Sequence, residues 1–87
     1  MEFLHSDLQL DYRDVVVVRL DSQANVLLLD SANFSRYQRN EDFSYYGGLA
    51  KASPVYLPAP HAGSWHVVLH LGGYSGSVRA GVSVIRH

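Results

Sequence analysis

Large apolar residues fall on every second position from Trp65 to Leu71: Trp65, Val67, Leu69 and Leu71 share one face, and His66, Val68 and His70 share the other. That is the period of a strand, not of a helix. The alternation returns between Val78 and Ile85, with Val78, Ala80, Val82 and Val84 opposite Arg79, Gly81, Ser83 and Ile85. Between the two arms, Gly72-Gly73-Tyr74-Ser75-Gly76 supplies residues that tolerate positive φ. The stretch 64–85 therefore reads as a long antiparallel β-hairpin whose arms aim their apolar faces at one core. Val68 and Ile85 sit on the second face, which implies cover there from another segment or a partner chain.

Earlier segments carry shorter versions of the same pattern. Residues 3–10 set Leu4, Leu8 and Leu10 against Phe3, His5, Asp7 and Gln9 and predict an N-terminal strand. The β-branched run VVVVRL at 15–20 predicts a second, with Val16, Val18 and Leu20 inward and Val15 and Val17 on the outer face. NVLLLD at 25–30 is apolar on both faces, so periodicity does not orient it. The polar stretch 31–40, with Phe34 and Tyr37 three apart and Ser31 as a potential N-cap, reads as a loop carrying one helical turn. In FSYYGGLA at 43–50, Gly47-Gly48 reads as a two-residue hairpin turn. Pro54 and Pro58 flank a short strand at 55–57 and place it at a sheet edge, since neither ring nitrogen can donate to a ladder. Six or seven short strands and no helix of ordinary length predict an all-β fold: an antiparallel β-sandwich, jelly-roll-like or a partly closed barrel.

Composition narrows the class. The 87 residues read as one domain, 1–87, and as the whole gene product. With no cysteine, disulfides and thiolate metal sites are excluded. No continuous apolar run resembles a signal peptide or a membrane span, so the expected setting is soluble and cytoplasmic. Seven Lys and Arg against eight Asp and Glu give a formal charge of −1, with the cations spread along the chain. Phosphate neutralisation needs a concentrated positive face, so nucleic acid and membranes are not expected partners.

The opening EFLHSDL, the block DVVVVRLDSQANVLLLDSANFSRY, the YYGG and the segment GSWHVVLHLGGYSGSVRAGVSVIR together resemble a bacterial family known only as domain of unknown function 1883, over essentially the whole chain. The resemblance implies a small β-sandwich and brings no activity, substrate or catalytic residue. A looser resemblance of pattern is to the jelly-roll accessory domains of secreted bacterial peptidases, which bind or assist and do not catalyse.

No motif carries recognisable catalytic chemistry. Gly73-Tyr74-Ser75-Gly76 lacks the G-x-S-x-G spacing of a nucleophile elbow, and the glycine run lacks the Lys-Ser/Thr of a phosphate loop. Five histidines invite a metal reading, but His66 and His70 lie four strand positions apart, about 13 Å, too far for one ion. A site would need one of them with distant partners such as His5, Asp7 or His61. The reading is no metal, no cofactor and no catalytic residue.

The residues best suited to recognition are the loop aromatics and their neighbours: Tyr45, Tyr46, Tyr74, His61, Arg36 and Arg39. Against this stands a packing role, in which Phe34 and Phe43 plug the open ends of a sandwich. The leading expectation is a non-enzymatic interaction module that binds a protein partner or its own copy, because Val15, Val17, Val68 and Ile85 crowd the outer faces. The alternative is small-molecule or carbohydrate binding through the tyrosine-bearing loops. Behind both stands a histidine metal-dependent hydrolase.

Overall fold

The structure, a computed structural model, describes residues 4–71 and 78–86. Seven strands and one helix follow in chain order: β1 (Leu4–Leu10), β2 (Val15–Leu20), β3 (Ala24–Asp30), α1 (Ser31–Gln38), β4 (Tyr46–Ala50), β5 (Val55–Pro58), β6 (Gly63–His70) and β7 (Ala80–Ile85). They form two antiparallel sheets, one of four strands in the order β1-β6-β3-β4 and one of three in the order β5-β2-β7. The result is an all-β sandwich; the sheets do not close into a barrel.

The core lies between the sheets and follows the period-2 pattern. Val16 and Val18 from β2 meet Val26 and Leu28 from β3 and Trp65, Val67 and Leu69 from β6, all at 3% exposure or less. Val82 and Val84 of β7 pack against the same cluster. Burying each such aliphatic side chain contributes about 1.5–3 kcal/mol. Leu20 is only partly buried, because β2 reaches the end of the sandwich there.

The hairpin expected over 64–85 is not formed. β6 already has β1 on one edge and β3 on the other, so no edge is left for β7. β7 instead pairs with β2 in the opposite sheet, from Val15 opposite Ile85 to Leu20 opposite Ala80. Both arms do aim their apolar faces at one core, but they do so across the sandwich rather than side by side. The glycine-rich turn lies outside the described residues.

Two further expectations are corrected. Gly47-Gly48 is no hairpin turn: both glycines belong to β4, Gly47 opposite Leu27 and Gly48 opposite Val26. A Cβ on Gly47 would collide with the Val26 carbonyl oxygen, so backbone proximity, not chain reversal, demands glycine there. The stretch 31–40 holds two turns of helix rather than one, and its cap is Asp30, not Ser31. The Asp30 carboxylate accepts from the Asn33 backbone N–H at 2.8 Å, satisfying a donor that the first turn leaves without a partner.

Helix α1 explains why β3 is apolar on both faces. Leu27, Leu29 and Val68 form the outer surface of the four-stranded sheet, and Phe34 of the helix covers them. The edge position expected for the proline-flanked strand holds, since among the described residues β5 pairs only with β2. Among the described residues no helix is long and apolar enough to cross a membrane.

Candidate functional site

The outer face of the four-stranded sheet gathers, among the described residues, a cluster of three ligand-type side chains, His5, Asp7 and His66. His5 and Asp7 occupy alternate positions of β1 and so share one face. The β1–β6 register sets Asp7 opposite His66. His66 Nδ1 lies 2.7 Å from Asp7 Oδ1, His5 Nε2 lies 2.9 Å from the same oxygen, and the two ring nitrogens are 3.0 Å apart. Three potential ligand atoms therefore form a compact triangle.

The sequence builds a support beneath this triangle. Because the helix begins at the end of β3, its first residue, Ser31, lies beside β6, and Ser31 Oγ is 3.0 Å from His66 Nε2. One turn later, buried Phe34 stacks against both imidazoles, with ring centroids 4.2 Å from His5 and 4.3 Å from His66 and interplanar angles of 20° and 7°. The rings are clamped by packing, and the His66 ring is held at its far nitrogen as well. Beside them opens a groove of about 460 Å³ lined by Asp7, Gln9, Ser31, Ser64, Trp65 and His66.

The residues singled out for recognition fall into separate settings. Tyr46 and His61 both approach Trp65, with centroids 6.0 and 4.7 Å away, and the Trp65 indole N–H donates to the His61 carbonyl at 3.0 Å. Tyr45 lies against Phe43, 5.7 Å between centroids, at the end of an aromatic series that runs through Tyr37 to Phe34. Burial pushes the Tyr37 phenol above its ordinary pKa. Arg36 is in the last turn of α1, and Arg39, its C-cap, makes a two-pronged contact with Glu41 at 3.1 Å for each prong. Tyr74 lies outside the described residues. Phe34 and Phe43 do pack, but beneath and beside α1 on a sheet's outer face rather than at an open end of the sandwich.

The sequence names His5 and Asp7 only as distant partners for a strand histidine, and Ser31 only as a potential helix cap. The alternation His5-x-Asp7 was a readable signal, since two ligand-type residues at i and i+2 of a strand share a face. The pairing of Asp7 with His66 was not readable, because period 2 fixes a residue's face and not its neighbour.

Fold and site together define a small all-β sandwich with one helix on an outer face, a class of architecture that hosts unrelated functions. The chain belongs to the family described as Domain of unknown function (DUF1883), whose model matches residues 1–87. No curated protein and no solved structure matches it.

Proposed function

We propose that the chain is a non-enzymatic interaction module that pairs with a second copy of itself through the β7 edge and the adjoining outer face of the three-stranded sheet. The unequal treatment of the sandwich's edges and faces carries this reading. Helix α1 packs on β3 and β6 at the outer face of the four-stranded sheet, whereas the outer face of the three-stranded sheet keeps large apolar side chains at its surface. There Tyr56 and Ile85 stay 58% and 55% exposed on either side of half-buried Val15, while Val17, at 2% exposure, is already covered by its neighbours in the single copy.

The edges differ in the same way. Sheet edges are normally protected by charge, proline or irregular backbone. β1 carries His5 and Asp7, β5 starts just after Pro54 and ends in Pro58, and β4 bears positive φ at Gly47 and Gly48. β7, AGVSVI, has neither charge nor proline. An antiparallel copy would set Arg79 near the partner's strand end, where Arg86 is already neutralised by Asp14. A protein pairing through one short edge and a narrow face buries less than a standard interface, so the association is weak and reversible. The lack of cysteine fits a reducing, cytoplasmic setting.

Light scattering of the untagged protein over a dilution series from about 500 to about 1 µM tests this reading. The expected result is a dimer that dissociates on dilution. Ser83→Lys, at an exposed position of β7, should yield a monomer with an unchanged thermal melt. A wild-type protein that is monomeric at every concentration overturns the proposal.

A further inference from the structure

We propose that His5, Asp7 and His66 bind a divalent first-row transition-metal ion of the zinc or ferrous class, with Ser31 positioning His66. This site lies on the four-stranded sheet and is independent of the self-pairing proposed for the other.

The donor geometry matches a metal's requirements. An ion bound at about 2.0–2.2 Å by adjacent ligands at right angles holds their donor atoms roughly 3 Å apart. The triangle formed by His5 Nε2, Asp7 Oδ1 and His66 Nδ1 has edges of 2.9, 2.7 and 3.0 Å. The three atoms thus already stand as one face of a coordination polyhedron, and a tetrahedral ion needs them to open by a few tenths of an ångström. Each ring nitrogen offers a single in-plane site, a proton or a lone pair, and here each faces two neighbours at once. A cation above the triangle serves all three donors together.

The donor set selects the ion. Two imidazoles with one carboxylate suit zinc, ferrous iron and their first-row neighbours, whereas calcium and magnesium prefer all-oxygen shells. Ser31 supplies the outer-shell contact that metal-bound histidines require: its hydroxyl lies 3.0 Å from His66 Nε2, and with Nδ1 on the ion the proton sits on Nε2 and is donated to that hydroxyl. Phe34, buried at 7% exposure, fixes both ring planes before an ion arrives. Asp7, with 74% of its side chain exposed, and the adjoining groove leave the remaining coordination positions to water or a small ligand.

Titration of untagged protein with Co²⁺, followed by its visible absorption, and competition with Zn²⁺ test the site. One equivalent of Co²⁺ should bind with a visible spectrum and be displaced by Zn²⁺. His66→Ala and Asp7→Asn should each weaken binding about tenfold or more, and Ser31→Ala about tenfold with the one-to-one stoichiometry kept. His70→Ala, on the same strand but outside the triangle, should bind as wild type does. Circular dichroism of each variant verifies its fold, and because Asp7 is mostly exposed, Asp7→Asn preserves folding even where a histidine variant does not. Failure of the wild-type protein to bind either ion, or binding by folded Asp7→Asn and His66→Ala equal to wild type, overturns the assignment.

Discussion

Arg86 closes onto Asp14: its Nη1 donates to the Asp14 Oδ2 at 2.7 Å, joining the end of the last strand to the loop before the second across 72 sequence positions. The two partners are unequally placed, with 2% of the Asp14 side chain exposed and 62% of Arg86. The same carboxylate oxygen accepts the Asp11 backbone N–H at 2.9 Å. Asp14 is thus the buried element of the pair and Arg86 the cation that reaches it from solvent.

Truncating Arg86 takes the cation away from a buried carboxylate that keeps its Asp11 N–H, whereas truncating an exposed arginine elsewhere disturbs no buried charge. Arg86→Ala should cost about 1–3 kcal/mol, since a buried charged acceptor loses one charge-assisted hydrogen bond while keeping its burial. Arg19→Ala, on an exposed position of β2, should fall within about 0.5 kcal/mol of wild type. Urea denaturation compares the two. Equal effects would show that the Arg86 contact is worth no more than an ordinary surface ion pair.

Trp65 is the largest fully buried side chain, at 1% exposure, and its indole N–H is satisfied by the His61 carbonyl. Trp65→Ala should cost roughly 3–5 kcal/mol, the range for large aromatic truncations in cores. Trp65→Phe keeps most of the packing and leaves the His61 carbonyl without its donor, so a smaller loss is expected. A near-neutral Trp65→Ala in the same denaturation experiment would place Trp65 outside the core.

The alternation of Val16 and Val18, and of Trp65, Val67 and Leu69, could be read directly because each face of a half-buried strand has one environment. That pattern delivered the sandwich and the inward side chains. It could not deliver strand order: β7 has the same inward period whether it lies beside β6 or faces it across the core. NVLLLD left β3 without an orientation because a helix covers its second face, and the brevity of α1 hid that cover. Asp30 escaped notice as a cap because it also ends a strand. The His5, Asp7 and His66 cluster was half legible: the shared face of His5 and Asp7 followed from β1, while its meeting with His66 depends on the β1–β6 register.

Gly47 and Gly48 separate steric crowding from backbone strain. Both have positive φ, +112° and +137°, which side-chain-bearing residues rarely adopt. An added Cβ at Gly48 meets nothing within 4 Å, whereas at Gly47 it runs into the Val26 carbonyl. Gly48→Ala should therefore cost about 1–3 kcal/mol for the conformation alone, and Gly47→Ala distinctly more. Thermal denaturation of the two variants gives the ordering, and equal melting temperatures would mean that β4 shifts to relieve the clash.

Tyr37 gives the chain a specific weakness at alkaline pH. Its phenol packs edge-on against Phe43 at 5.2 Å and beside Phe34 at 6.4 Å, and burial raises its pKa above the usual value near 10. Below about pH 10 the phenol is protonated in both the folded and the unfolded chain, and its contribution to stability is fully present. As pH rises further, the unfolded chain gives up this proton first, so ionisation favours unfolding. Stability then falls until the pH passes the raised folded value, beyond which this residue adds no further slope. Tyr37→Phe keeps the ring contacts and removes the proton. Denaturant midpoints measured at about pH 9 and about pH 11 should therefore fall less for Tyr37→Phe than for wild type. Identical losses would show that the Tyr37 phenol ionises as readily in the folded chain as in the unfolded one, and that the packing around it excludes no water.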